Sequence, residues 1–215
     1  TWAAGECAAG SVEYSRQARQ GDFVWMKADA GSAGTVTMSF DGKEVPCYTN
    51  GDGKRDCYAS VLPDTQPGNK KLLLKADGKT HVTRTIKIVR RGFPLLPLTL
   101  TNDKKALLNG EDRADEIQKI RAALHTESAE RLRKSLFELP VKGTIESQFG
   151  EKRTVDGKTR PGFHRGLDIG VPEGTLISAP SDGRVVLAGM FTEEGNMVML
   201  DHGQGIVTAY LHLSE

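Results

Sequence analysis

The stretch that decides the fold of the C-terminal part is residues 163–172, which read FHRGLDIGVP. Apolar side chains occupy every second position from 167 to 171, and the glycines and the proline oppose a helix, so the pattern predicts a β-strand. A period of two then places His164 and Asp168 together on the face opposite the apolar one. An imidazole beside a carboxylate suits a zinc ion, although a hydrogen-bonded His–Asp pair without metal explains the spacing equally well.

A second strand of interest is predicted at residues 207–213, near the end of the chain. Its apolar residues alternate with Thr208, Tyr210 and His212. If the apolar face packs in the core, Tyr210 and His212 project on the side of the sheet where His164 and Asp168 can also lie. A histidine near a metal can move protons at neutral pH, and a surface imidazole on an exposed strand is the alternative.

The rest of the chain predicts a mainly β protein in three parts. Residues 1–90 contain short alternating runs separated by turn signals, which indicate a β-sandwich of six or seven strands. Two prolines in RRGFPLLP at 90–97 predict a linker that continues, with helices, over residues 91–138. The helical pattern begins at Asp112, and a second helical stretch is predicted from Leu132 and Leu136. Residues 139–215 return to β, as an antiparallel sheet domain.

The three cysteines predict an exported protein. Cys47 and Cys57 bracket the turn sequence NGDG at 50–53, so a hairpin would bring them together as a disulfide worth about 2.5–3 kcal/mol. Disulfides persist outside the cytoplasm, which predicts a periplasmic or extracellular location in the bacterial cell envelope. Two reduced, buried cysteines are the alternative. The state of Cys7 cannot be read from the sequence.

Charge and hydropathy exclude two classes of partner. The chain has 215 residues with 29 Lys and Arg against 28 Asp and Glu, a net charge of +1. This balance argues against nucleic acid binding and against a polybasic membrane patch. No apolar run reaches the ~20 residues of a membrane-spanning helix, so no transmembrane segment is predicted. The chain begins with Thr1 instead of Met, so we expect a mature or trimmed protein.

The C-terminal part contains a series of short motifs: IESQFG at 145–150, HRGLDI at 164–169, VPEGT at 171–175, APSDGRVV at 179–186, GNMV at 195–198, DHG at 201–203 and YLHLS at 210–214. In this order the motifs resemble those of the lysostaphin/LytM-type zinc metallopeptidases. The resemblance covers about residues 139–215 and implies a sheet domain of the duplicated hybrid motif type. The N-terminal β part is similar to the immunoglobulin-like domain that precedes the peptidase in some members.

The resemblance implies an activity and a set of site residues. It makes His164 and Asp168 ligands of one Zn²⁺ and His212 the catalytic histidine, which would hydrogen-bond the attacking water or the developing oxyanion. It also implies substrate contacts by Tyr210 and Asn196. Zinc would polarise the scissile carbonyl. Family members hydrolyse peptide bonds of bacterial peptidoglycan, in stem-peptide cross-links or in bridges.

One departure from the family pattern concerns the metal. The third zinc ligand of the family comes from a later Pro-His-x-His segment, and the sequence ends at Glu215 before any such segment. A catalytic zinc site normally has three protein ligands. We therefore expect the peptidase domain to be incomplete at its C-terminus, the 215-residue chain to be inactive, and zinc to be weakly bound or absent in it.

Two other functions remain open on the sequence alone. The first is a non-catalytic relative of the same fold that binds or activates a cell-wall amidase; the intact His164 and Asp168 count against it. The second is a wall-binding module in which the N-terminal sandwich makes the contacts. The bond cleaved and the oligomeric state cannot be read from the sequence.

Overall fold

The structure, a computed structural model, describes residues 12–31, 33–98, 113–155, 158–159 and 162–215. It divides into two compact units, Thr1–Pro94 and Leu95–Glu215. The predicted subdivision at residues 90 and 138 stays a prediction, and Cys7 lies outside the described residues. Among the helices of the described part, none combines the length and the apolar character that a membrane span requires.

The first unit is built from strands with alternating burial. In β4, for example, Val36, Met38 and Phe40 are buried, whereas Thr37 and Ser39 between them are partly exposed. This period of two is what the sequence pattern predicts for a half-buried strand. The described strands of this unit are β1 (Glu13–Tyr14), β2 (Gln17–Arg19), β3 (Phe23–Ala28), β4 (Val36–Phe40), β5 (Lys43–Thr49), β6 (Arg55–Ser60), β7 (Gly68–Ala76) and β8 (Lys79–Val89).

These strands form one hydrogen-bonded ladder in the order β1–β3–β6–β5–β4–β7–β8–β2. Strand β5 pairs with β4 through its first residues and with β6 through its last ones, so it joins the two halves of the ladder. Val24 and Met26 of β3 belong to the same buried cluster as Leu72 and Leu74 of β7. The ladder therefore curls around one core. The mainly β fold is confirmed, and the immunoglobulin-like character of this unit stays a prediction.

The predicted disulfide is confirmed. Cys47 of β5 lies directly opposite Cys57 of β6, and their sulfur atoms are bonded. The turn between the strands is organised by Asn50, whose side-chain oxygen accepts hydrogen bonds from the backbone N–H groups of Asp52 and Lys54. Asn and Gly residues favour this kind of tight connection, which is why the hairpin could be predicted locally.

The second unit has shorter elements arranged in three small sheets. The strands pair as β14–β15–β16, as β10–β13, and as β12–β11–β9, in which β9 runs parallel to β11. The described elements are β9 (Leu95–Leu98), α1 (Ala114–Leu124), β10 (Thr144–Ser147), β11 (Lys152–Val155), β12 (Lys158–Thr159), β13 (Asp168–Gly170), β14 (Arg184–Phe191), β15 (Gly195–Asp201) and β16 (Val207–Leu213).

Helix α1 covers the β14–β15–β16 sheet with a small apolar surface. Ala123 is buried with Phe191, Met197 and Met199, and Ile120 packs against this cluster. Ile117 and Leu124 of the same helix are exposed. Only part of the apolar surface of α1 therefore packs against the sheet.

The second predicted helical stretch, around Leu132 and Leu136, is not helical in the structure. The backbone N–H groups of Leu132 and Arg133 both donate to the carbonyl oxygen of His202. A helix would direct these groups to carbonyls four residues earlier in the chain. A contact with a distant turn has replaced the local hydrogen bonds, and sequence periodicity carries no sign of such a contact.

A cluster of charged side chains ties α1 to the turn between β14 and β15, and we call it the Arg113 latch. The Arg113 guanidinium pairs with Glu193, with Glu194 at 2.8 Å and with Glu116 at 3.4 Å. Thr192 donates both its backbone N–H and its hydroxyl to the Glu116 carboxylate. The hydroxyl of Thr192, its N–H and Arg113 together lower the pKa of Glu116 from its ordinary value.

Candidate metal centre

His164 and Asp168 reach each other from different local structures. Residues 163–172 were predicted as one strand, but β13 spans only Asp168–Gly170, and His164 lies in irregular chain before it. Ser147 at the end of β10 pairs with Asp168, so no strand continues the ladder toward His164. The backbone of His164 bonds instead to the loop after β10: its N–H donates to the Glu151 carbonyl at 2.7 Å, and its carbonyl accepts from Gly150 at 2.8 Å.

The structure brings the two predicted ligand side chains together. His164 Nε2 lies 3.1 Å from Asp168 Oδ1. The imidazole is largely covered, with 13% of the side chain exposed, whereas half of the Asp168 side chain is exposed. The rings of Phe149 and Phe163 pack edge to face, 5.9 Å apart, and link the two segments that carry the site. The pair is therefore accessible from one side and supported from the other.

Polar groups surround the outer side of the pair. His164 Nδ1 lies 3.0 Å from the Gln148 carbonyl oxygen and 3.2 Å from Ser147 Oγ. The Ser147 hydroxyl donates to Glu151 Oε2 at 2.5 Å, and this bond is the main reason that the pKa of Glu151 is lowered. Arg153 Nη2 lies 3.2 Å from both Ser147 Oγ and Asp168 Oδ2.

The distance between His164 Nε2 and Asp168 Oδ1 is compatible with both atoms binding one zinc ion. Zinc bonds to nitrogen and oxygen ligands are ~2.0–2.1 Å long, so two ligands of a tetrahedral ion lie about 3.3 Å apart. A carbonyl can only accept a hydrogen bond, so the contact with Gln148 places the ring proton on Nδ1. Nε2 then faces a carboxylate oxygen of Asp168, and either the proton of a His–Asp hydrogen bond or a metal ion can lie between the two atoms. No group of three or more His, Cys, Asp or Glu side chains suited to a metal occurs in the described ranges.

The other predicted site residues lie on β15 and β16. The amide nitrogen of Asn196 donates to the Ser214 carbonyl at 3.2 Å. In the part of the chain that the structure describes, neither Tyr210 nor His212 makes a hydrogen bond or ion pair with His164 or Asp168. The predicted site residues therefore form two groups, the His164–Asp168 pair and the residues on β15 and β16.

His212 does not follow the period of two predicted for its strand. Val198 pairs with Tyr210 and Asn196 pairs with Leu213, so β16 has one extra residue across this step, a β-bulge. His212 takes the left-handed backbone conformation, with φ of 58°, and its N–H donates to the Glu194 carbonyl at 2.9 Å. The predicted common face of Tyr210 and His212 is thus interrupted by the bulge, which a pattern of alternating residues cannot reveal.

Tyr210 is held by a chain of hydrogen bonds that begins in a buried turn. His202 is fully buried, with Nδ1 2.8 Å from the Asp182 carbonyl and Nε2 2.8 Å from Thr208 Oγ1. Thr208 in turn bonds to the Tyr210 hydroxyl. Burial raises the pKa of Tyr210, and the bond with Thr208 opposes this in part. His202 therefore anchors the strand that carries Tyr210.

Sequence reasoning missed three residues of the metal centre: Ser147, Glu151 and Arg153. Ser147 entered the sequence analysis only as part of the motif at 145–150. Ser147 ends β10, Arg153 lies in β11, and Glu151 lies in the loop between these strands, where Gly150 has a φ of 89°. The spacing of four between Ser147 and Glu151 is typical of a helix and gives no signal for such a loop.

Comparisons with known proteins show which family the C-terminal part of the chain is similar to. Residues 162–215 match the model of peptidase family M23. A crystal structure assigned to peptidase M23 from Pseudomonas aeruginosa is similar over 89% of this chain and 72% of its own, with 28% identity and a TM-score of 0.58. The resemblance to LytM-type metallopeptidases is therefore confirmed.

Three curated relatives show the range of proteins to which part of this chain is similar. The cell division protein DipM of Caulobacter vibrioides is 40% identical over 38% of this chain and 12% of its own length. The peptidoglycan DD-endopeptidase ShyA of Vibrio cholerae is 32% identical over 42% of this chain and 22% of its own. The murein hydrolase activator EnvC of Escherichia coli is 37% identical over 33% of this chain and 16% of its own. The chain thus spans less than a quarter of the length of these relatives.

Proposed function

We propose that the peptidase domain in this chain acts, once a third protein ligand completes the zinc site, as a zinc-dependent metalloendopeptidase that hydrolyses peptide bonds in bacterial peptidoglycan. The observation that carries the proposal is the approach of His164 Nε2 to Asp168 Oδ1 at 3.1 Å, inside a segment that matches peptidase family M23. The similarity to the DD-endopeptidase ShyA supports peptidoglycan peptides as the substrate class. The bond would lie in a stem-peptide cross-link or in a bridge.

In this proposal His164 and Asp168 hold the metal through Nε2 and Oδ1. When bound, zinc supplies a Lewis acid that polarises the scissile carbonyl. A catalytic zinc site normally has three protein ligands, so the active protein needs one more than this pair. The exposed side of Asp168 leaves room for a substrate peptide to approach the pair.

The residues of β15 and β16 are proposed to act on the substrate. His212 would hydrogen-bond the attacking water or the developing oxyanion, and its left-handed backbone supports a functional role because strained residues are frequent at active sites. Tyr210, held by the hydrogen-bond chain from His202, and Asn196 would contact the peptide. The Cys47–Cys57 disulfide supports a periplasmic or extracellular location for this reaction.

The test separates ligands from the catalytic histidine by two measurements on the same purified variants of the full-length protein. We expect His164→Ala and Asp168→Ala to lose both zinc, measured by atomic absorption, and release of peptides from purified cell walls. We expect His212→Ala to retain zinc and to release peptides about 10²–10⁴-fold more slowly, because general acid–base groups typically contribute that factor to the rate. His125→Ala, an exposed histidine in the same unit, is the matched control and should change neither measurement.

Two outcomes would contradict the assignment. Loss of zinc from a folded His212→Ala protein would make His212 a ligand. Wild-type protein that binds zinc but releases no peptide from any wall substrate would exclude the peptidase function.

A second function is a non-catalytic regulator that activates a cell-wall amidase. The similarity to the murein hydrolase activator EnvC favours it. The regulator predicts that the wild-type protein stimulates a purified amidase on cell walls, and that His164→Ala stimulates it equally well. The peptidase predicts peptide release without any amidase.

A further inference from the structure

The Ser147 hydroxyl occupies the centre of the polar network behind the metal pair. We propose that Ser147 and Glu151 are positioning residues that orient the His164 ring so that Nε2 faces the metal position. This inference rests on the proposed function, because the position that Nε2 faces matters only if a metal binds there. Both residues are buried, with 8% of Ser147 and 5% of Glu151 exposed.

The hydrogen-bond capacity of Ser147 leaves one arrangement of protons. A hydroxyl has a single hydrogen and two lone pairs. Glu151 Oε2 accepts that hydrogen at 2.5 Å, since a carboxylate has no proton to give. Arg153 Nη2 can only donate, and it takes one lone pair at 3.2 Å. The remaining lone pair faces His164 Nδ1 at 3.2 Å, so Nδ1 must be the donor.

The backbone reinforces this arrangement from a second direction. The carbonyl of Gln148 also accepts from Nδ1, at 3.0 Å. With two acceptors at Nδ1, a neutral ring that binds a metal through Nε2 carries its proton on Nδ1. A histidine that binds metal through one nitrogen almost always donates from the other in this way.

Arg153 extends the network to the second ligand. Its Nη2 contacts Asp168 Oδ2 at 3.2 Å as well as Ser147, so Oδ2 is occupied and Oδ1 is the oxygen that faces His164. One guanidinium thus joins the outer sides of both ligands. Ser147 and Glu151 act on the His164 ring through this network, without touching the metal position.

Zinc affinity is the first measurement, made on the full-length protein by competition with a chromophoric chelator. Partners of this type typically change metal affinity by about 10–100-fold, and we expect that weakening for Ser147→Ala and Glu151→Ala. Ser147→Thr keeps the hydroxyl and should restore wild-type affinity. Ser135→Ala, an exposed serine of the same unit whose hydroxyl lies 3.4 Å from Ser181, is the matched control and should bind zinc as the wild type does.

The proton position on the His164 ring is the second measurement, read from ring ¹⁵N shifts in metal-free protein with a neutral ring. Asp168 competes for a proton on Nε2, so the expected result is a larger share of rings with the proton on Nδ1 in the wild type than in Glu151→Ala. In Glu151→Ala the Ser147 hydrogen is released and can turn toward Nδ1, so the share of rings with the proton on Nε2 should rise. A residue that only stabilises the fold would leave this signature unchanged.

The two measurements separate failure of the inference from failure of the proposed function. Tight zinc binding that is equal in wild type, Ser147→Ala and Glu151→Ala would overturn the positioning role and leave the function intact. No zinc binding in the wild type would overturn the zinc function. In that case the shift of the ring proton in Glu151→Ala would still decide whether Ser147 and Glu151 orient the ring.

Discussion

Each of the two units of this chain is stabilised internally by a different kind of buried side chain. Among the described residues, the buried cluster of the first unit has nineteen members and that of the second has four. The second unit instead buries polar groups, six of them against three in the first unit. They are Arg133, Ser147, Glu151, Asp201, His202 and Gln204.

The difference shows that apolar burial is the main stabilising interaction of the first unit, whereas hydrogen bonds and ion pairs are more important in the second. In the first unit, side chains removed from water provide the stability, at about 25 cal/mol per Å² of apolar surface. In the second unit, large apolar residues such as Leu136, Leu176 and Met190 are exposed, and turns and loops are fixed by polar contacts. Such contacts depend on geometry, so the second unit should be more sensitive to changes of backbone shape and of charge.

The largest effect should come from the core of the first unit. Leu72 is fully buried, and Leu72→Ala should lower the free energy of unfolding by about 2–5 kcal/mol, because it removes packed atoms and leaves a cavity. The matched control is Leu176→Ala in the second unit, where the side chain is 90% exposed and the change should stay within about 0.5 kcal/mol. Urea unfolding followed by circular dichroism measures both. Equal losses of unfolding free energy in the two variants would contradict the difference between the two units.

A smaller effect should come from a glycine in the second unit. Gly203 has a φ of 79°, and a Cβ there would lie 1.9 Å from the Glu130 carbonyl oxygen. Gly174 has a φ of 82° with nothing within 4 Å of the Cβ position. Both changes to Ala carry the cost of a left-handed backbone, about 1–3 kcal/mol, and only Gly203→Ala adds a clash with the backbone.

Hydrogen–deuterium exchange of peptides from β15 and β16 measures this pair of variants. Faster exchange in Gly203→Ala than in Gly174→Ala would sharpen the comparison, because a single methyl group would then loosen a unit held by turns. Identical exchange would mean that the turn at Gly203 can move aside.

The smallest effect should be a pH dependence of the Arg113 latch. The pKa of Glu116 is lowered from 4.5, so the folded state favours the carboxylate. The stabilisation is present above the ordinary value and is lost as the pH falls through the lower folded value. Protection of α1 peptides from hydrogen exchange should therefore decrease on acidification in the wild type and much less in Glu116→Gln. Asp115→Asn, which removes an exposed charge from the same turn of the helix, should behave as the wild type does.

Features set by neighbouring residues could be predicted from the sequence. The Cys47–Cys57 hairpin, the alternation of β4 and the mainly β fold depend on local turns and on a period of two, and all three are confirmed. The family resemblance could also be predicted, because motifs such as HRGLDI occur along the chain in the same order as in the family.

Features set by distant partners could not be predicted. His164 lies outside a strand because β10 ends opposite Asp168, and Leu132 lies outside a helix because its N–H bonds to His202. The bulge at His212 depends on its pairing with β15. In each case the partner that decides the local structure is remote in sequence, so a window of neighbouring residues does not contain the cause.

The parallel pairing of β2 with β8 has a consequence for the rate of folding. Gln17 pairs with Lys87, whereas Cys47 pairs with Cys57 within the β5–β6 hairpin. The hairpin can form as soon as its short loop closes, but the β2–β8 contact must wait for a loop of most of the unit, and such non-local pairs slow folding. During synthesis β2 emerges long before its partner strand exists. We therefore expect the β2–β8 pair to form after the local hairpins of the first unit.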